Sequence, residues 1–304
     1  MTVPQESAPI SLGRLLRLLQ QLQAESLDFE RAWGLTAPQY SVLAAIVNSP
    51  GIDQRTVVSQ TFIDKSTAAS VVNRLVGRGL VIANRSPVDQ RRNELVATKL
   101  AISLLYESTP ELLARQDLII SALPESDRPS FRTALRTLGY TERDVPPMNY
   151  EVPSPDGLRP ALIVNWGLGR PVRATLQRYN RMWAERIAVV TLVQALALAA
   201  IDANGELDQA SLGATIFLDK ASITEVVARL VRQGLVTKSR DRADARRRLL
   251  QLSTKGKRIL HMVCSEVHAL DASFLTPLEE PDRVVFLKSV RLVVSSPPVG
   301  ADVP

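Results

Sequence analysis

A chain of 304 residues, 45% hydrophobic and 22% charged, has the composition of an ordinary globular protein with room for two cores. Its longest apolar stretch, Ala188–Ile201, holds Thr191 and Gln194 and is too short to span a bilayer, and the N-terminus shows no basic region, apolar core and cleavage site of a secretory leader. The net charge of +6 is compatible with nucleic acid without requiring it, and the single cysteine, Cys264, excludes an intrachain disulfide and fits a reducing cytoplasm.

The first predicted element is a helix over Leu12–Trp33, where Leu12, Leu15, Leu16, Leu19 and Leu22 recur at helical spacing. Thr36 is placed as the N-cap of the next helix, with Pro38 in its first turn, and that helix should stop near Asn48-Ser49-Pro50-Gly51. Asp53 then caps a short helix to Gln60, and Asp64 caps another over Lys65–Arg78 that ends at Gly79. Leu80–Asn84 and Glu94–Ala97 read as two strands around the loop Arg85–Asn93. A long helix from Thr98 and a shorter one from Glu125 to Leu138 complete the run. Gly139–Arg159, with four prolines, reads as a partly extended linker.

Beyond that linker the chain repeats itself. Thr36–Ala101 realigns with Thr191–Gly256 at a constant offset of 155 without a gap, with 24 identities over the 67 positions 35–101. Leu168-Gly169-Arg170 echoes Leu12-Gly13-Arg14, and the register persists to Phe131 and Phe286. Two copies at so long a period indicate domain duplication rather than a solenoid. The expected boundaries are a first domain at 1–139, a linker at 140–160, a second domain at 161–296 and a frayed tail at 297–304.

Two short helices followed by a two-stranded hairpin with a charged tip describe a winged helix-turn-helix. With the Thr36…Gln39 opening, the Asp64-Lys65-Ser66-Thr67 helix start, the Arg74-Leu75…Gly79-Leu80-Val81 strand entry and the wing pattern Arg85…Asp89…Arg91-Arg92, the chain resembles the MarR family of transcriptional regulators, twice over. The resemblance implies a mainly α fold with small β-wings (α+β), in which long terminal helices pair, the fourth helix enters the major groove and the wing reaches the minor groove. In one chain it implies a monomer that acts as a pseudo-dimer.

The residues support that assignment independently. On Asp64–Gly79, Ala68, Val71, Val72, Leu75 and Val76 form one apolar stripe. The opposite face carries Ser66, Ser70 and Asn73, flanked by Thr67 and Arg74, groups that can approach base edges closely. The second copy offers Ser222, Thr224, Glu225 and Arg229 instead; its glutamate can accept from cytosine but repels phosphate. The wings run the other way. Residues 83–93 hold three arginines (Arg85, Arg91, Arg92) against Asp89, net +2, whereas 238–248 holds Lys238 and five arginines (Arg240, Arg242, Arg246, Arg247, Arg248) against Asp241 and Asp244, net +4. Such guanidinium groups suit a narrow minor groove. Asp89 and Asp244 are expected to pair with a wing arginine and fix the loop.

Phe29, Trp33, Tyr40, Trp166, Tyr179 and Trp183 cluster near the first helices. They read as core packing first, and Trp33, Tyr40, Tyr179 and Trp183 as candidates to line a pocket for a small aromatic or phenolic effector, which the family binds between its pairing helices and DNA lobe. His261, Cys264 and His268 share a helix face and are metal-ligand types, but their counterparts Tyr106, Thr109 and Leu113 are not, and packing is the simpler reading. No cofactor is expected. Without a glycine-rich phosphate loop or a nucleophile–base constellation, an enzyme is not expected either. The expected function is a cytoplasmic, double-stranded-DNA-binding repressor relieved by an effector, reading a pseudo-palindromic operator with unequal lobes. The alternative is a protein-interaction module that has lost DNA binding.

Overall fold

The computed structural model describes residues 11–25, 29–87, 92–140, 149–165, 167–240 and 248–296. The first repeat runs α1 (Ser11–Glu25), α2 (Phe29–Trp33), α3 (Ala37–Asn48), α4 (Gln54–Thr61), α5 (Lys65–Gly77), β1 (Val81–Arg85), β2 (Asn93–Ala97), α6 (Lys99–Ile119) and α7 (Asp127–Gly139). A hairpin follows, β3 (Asn149–Val152) and β4 (Leu162–Asn165). The second repeat comprises α8 (Gly169–Arg186), α9 (Leu192–Asn204), β5 (Leu207–Asp208), α10 (Gln209–Ile216), α11 (Lys220–Arg232), β6 (Val236–Arg240), β7 (Arg248–Leu252), α12 (Thr254–Leu275) and α13 (Glu280–Ser295). The predicted first helix is represented by α1 and α2, and residues 26–28 between them lie outside the described residues. No helix among the described residues is long and apolar enough to cross a membrane.

The helix starts follow from side-chain chemistry. Thr36 and Thr191 each form a reciprocal capping box with the glutamine three residues on, Gln39 and Gln194. Asp53, Asp64, Asp208 and Asp219 cap α4, α5, α10 and α11 through their carboxylates. After α5 the chain turns at Gly79 (φ +68°) and after α11 at Gly234 (φ +70°), conformations that favour glycine and launch both wing strands. Strand β1 pairs antiparallel with β2, Val81 facing Ala97; in the second repeat β7 pairs with β6 and also with β5.

The chain forms two compact units, and each contains segments of both repeats. One comprises residues 1–21 and 176–284. There Leu12 and Leu16 are buried, Gly13 lies so close to Tyr179 and Leu192 that a methyl group would collide with both, and the Tyr179 hydroxyl donates to Asp271 at 2.7 Å. The other comprises residues 22–175 and 285–304. In it Phe286 of α13 stacks on Phe131 of α7 at 5.9 Å, Thr175 of α8 donates to the Leu135 carbonyl, and Arg173 donates to the Thr61 carbonyl and the Ser41 hydroxyl.

The proline-rich linker departs from its partly extended reading: β3 and the following turn lie inside it, and β3 pairs with β4, which begins just beyond it in the stretch assigned to the second domain. Asp156 accepts from the Leu158 amide, Gly157 follows with φ +69°, and Val152 is wholly buried in the first lobe's core. Val76 departs from the predicted stripe of α5. It sits in the helix's last turn at the edge of the stripe and is 38% exposed, while Ala68, Val71, Val72 and Leu75 are buried.

Candidate nucleic-acid interface

Helix α5 buries the predicted stripe and leaves Ser66, Ser70, Asn73 and Arg74 exposed, with Thr67 half-buried. Its start is rigid. Asp64 accepts from the Ser66 hydroxyl at 2.6 Å and from the Thr67 amide at 2.9 Å, and these bonds lower its carboxyl to about 2. Ser66 is therefore already engaged with the cap, whereas Ser70 and Asn73, on the next turns of that face, point outward.

Helix α11 is built alike but its polar groups are more occupied. The Ser222 hydroxyl donates to Asp219 at 2.7 Å. The Thr224 hydroxyl donates to the Lys220 carbonyl at 2.6 Å and accepts from Gln209 at 2.8 Å. Glu225 forms an ion pair with Arg229 one turn later. The two groups are exposed, so the pair contributes little to stability. Its importance is local: the carboxylate that repels phosphate is partly neutralised by the arginine that would attract it.

The wings are described in part. Arg85 ends β1 and is exposed, and Arg240 ends β6. Arg91, Arg242, Arg246 and Arg247, with Asp89, Asp241 and Asp244, lie outside the described residues. Arg92 pairs with Asp53, the carboxylate that caps α4. One aspartate thus serves the helix start and the returning wing strand. Its hydrogen bonds with Thr56, followed by Arg92, hold its carboxyl below the usual range. Spacing could reveal the cap; only the fold brings Arg92 to it.

The aromatic candidates divide. Trp33 is half-buried and donates to Glu111 at 2.6 Å, while the buried Tyr40 hydroxyl is bonded to Thr109 at 2.6 Å. Tyr179 is 0% exposed, and burial pushes its hydroxyl well above the usual tyrosine range. Trp183 is 2% exposed, donates to the Val190 carbonyl at 2.7 Å, and also lines a cavity of about 750 Å³. The cavity's other walls include Ile187, Val190 and Val193, and Ser222, Glu225 and Arg229 of α11. Of the four candidates, Trp183 alone belongs to that cavity. Trp166 and the side chain of Phe29 lie outside the described residues.

His261 and Cys264 line a groove of about 470 Å³ between α9 and α12, and the exposed His268 does not. Burial and Asp202 push the Cys264 thiol up, away from thiolate character. No group of three or more metal-ligand side chains occurs among the described residues.

The MarR family model matches residues 33–92 and again 190–247, one match for each winged half. The putative transcriptional regulatory protein for the hcr operon of Thauera aromatica is 31% identical over 114 residues, 37% of this chain and 68% of that protein. The chain belongs to the MarR family. It is a transcriptional regulator with two MarR-like winged halves in tandem. The transcriptional regulator HosA of Escherichia coli O127:H6 is 26% identical over 125 residues, 41% of this chain and 93% of HosA. Among solved structures, the PcaV regulator of Streptomyces coelicolor in complex with its natural ligand shares 33% identity over 42% of this chain and 92% of PcaV, with a TM-score of 0.39.

Proposed function

We propose that this regulator is a repressor that binds one pseudo-palindromic operator through both halves and is released by a small aromatic or phenolic effector. The observation that carries this reading is the pair of capped helices α5 and α11. Each buries one stripe, exposes a polar face and runs into an arginine-bearing wing. Within that frame Ser70, Asn73 and Arg74 read bases in one half-site, with Ser66 and Thr67 orienting the helix start. Ser222, Thr224, Glu225 and Arg229 form the second, weaker reader. Arg85, Arg91, Arg92, Arg240, Arg242, Arg246 and Arg247 attract the backbone and minor groove.

The monomer as pseudo-dimer has support in the chain's own packing. Phe131 and Phe286 occupy the same position of the two repeats and stack on each other. A position that meets its own counterpart is what a two-fold relation between helices produces. The effector reading is supported by the cavity beside α11, whose volume is in the range of small-molecule sites and whose wall includes Ser222, Glu225 and Arg229. A ligand there would hold the second reading helix and bias the population away from the DNA-competent arrangement.

Selection from random duplex DNA with the full chain tests the reading. Recovery of two related half-sites about one helical turn apart, of unequal information content, is the expected result. Recovery of no sequence preference at any salt concentration would reject it in favour of the protein-interaction module.

A further inference from the structure

The two repeats treat one helix–helix groove in opposite ways. In the first repeat the linker hairpin packs against both α3 and α6, helices that carry Ala44, Val47, Asn48, Leu105 and Tyr106. Val152 enters the core there and Leu162 packs against it. The Glu151 amide donates to Asn48, the Tyr106 hydroxyl donates to the Pro160 carbonyl at 3.1 Å, and Arg159 stacks over the Tyr106 ring at 4.6 Å. The equivalent residues of the second repeat, 155 positions on, are Ala199, Asp202, Ala203, Leu260 and His261. These, with Lys257 and Cys264, line the open groove of about 470 Å³.

The substitutions between the grooves follow the difference in cover. Val47 becomes Asp202, Ile102 becomes Lys257 and Tyr106 becomes His261, and each changes from half-buried to exposed. The floor is retained, because Leu105 and Leu260 are both buried. His261 keeps a ring with a donor at the place where Tyr106 grips a peptide carbonyl. Lys257, standing where the first repeat has Ile102, puts an exposed ammonium on the groove wall that an acidic neighbour can pair with.

We propose that the α9–α12 groove is a docking site for an extended polypeptide segment of a partner protein, one that inserts an aliphatic side chain beside an acidic residue as Glu151-Val152 does in the first repeat. The first repeat shows the mode: side chains of the two helices bond the segment's main chain and one apolar side chain anchors it. This inference is independent of DNA binding.

The test uses the full chain and its single cysteine. The probe is a synthetic peptide with the sequence of residues 149–165, and the readout is the rate of Cys264 alkylation by iodoacetamide. At about ten times its dissociation constant the peptide should slow alkylation about tenfold, since only the unoccupied fraction reacts. Peptides carrying Val152→Asp or Glu151→Lys should protect weakly, and the chain variant Lys257→Glu, on an exposed position, should restore binding of the Glu151→Lys peptide. Unchanged alkylation at saturating peptide concentration would overturn the proposal. So would faster alkylation after removal of residues 297–304, which would assign the groove to the chain's own tail. Slowing that depends on protein concentration without peptide would assign it to a second copy and overturn the proposal equally.

Discussion

At the scale of single residues, the exposed faces of α5 and α11 differ in charge at Ser70 and its counterpart Glu225. Asn73→Ala should cost about 1–3 kcal/mol at the preferred half-site and relax the choice of base there, measured by competition between the selected operator and single-base variants. Glu225 is bound to Arg229, so replacing it does two things at once: it removes a negative charge and frees a guanidinium. Glu225→Ser should therefore tighten DNA binding and steepen its salt dependence by about one unit if Arg229 reaches a phosphate. Loss of operator discrimination instead would identify Glu225 as a base reader. Asp271 makes a different kind of statement. Burial raises its carboxyl to about 6, with the Tyr179 hydroxyl, the Leu12 amide and His268 pulling the other way. The folded value exceeds that of an unfolded aspartate, so its contribution to stability is complete at low pH and is lost as pH rises through about 6. Compared with Asp271→Asn, the parent chain should lose about 2–3 kcal/mol between pH 4 and 7, read by denaturant unfolding across that range.

At the scale of elements, caps and tethers decide how firmly the reading helices and wings are held. Asp53→Asn can retain much of the α4 cap while weakening the pair with Arg92, whereas Asp53→Ala loses both. The alanine variant should unfold at lower denaturant, at a cost of about 1 kcal/mol for the cap. Both variants should weaken DNA binding alike if the tether positions the wing. The hairpin teaches a lesson about sequence. Ser154-Pro155-Asp156-Gly157 between Tyr150-Glu151-Val152 and Leu162-Ile163-Val164 is a turn signal flanked by strand formers, present in the chain yet outweighed by four prolines in the linker reading. Gly256 is the counterpart of Ala101. A methyl group on Gly256 would sit 2.1 Å from the Leu235 carbonyl oxygen, so Gly256→Ala should displace the start of α12 from the wing strand and lower the thermal midpoint.

At the scale of the whole molecule, the duplication gives one chain two MarR-like halves that are free to diverge. Light scattering at micromolar concentration should give 33.4 kDa rather than twice that mass, with one chain per operator. A dimer of the intact chain would contradict the pseudo-dimer. The divergence is consistent in kind: one helix keeps small polar side chains on its exposed face, the other carries an ion pair and borders the cavity; one groove is covered by the linker hairpin, the other is open.

The sequence by itself determined the repeat, the family, the helix starts and the exposed faces of α5 and α11, because capping residues, apolar spacing and glycine turns act over a few neighbouring residues. Those signals survive in both copies. Tertiary structure alone decided that Arg92 meets Asp53, that Trp183 rather than Tyr40 borders the cavity, that each compact unit draws on both repeats, and that the linker fills one groove. Each of these depends on which surfaces meet across tens of residues, where burial and charge pairing among distant segments outweigh any local preference.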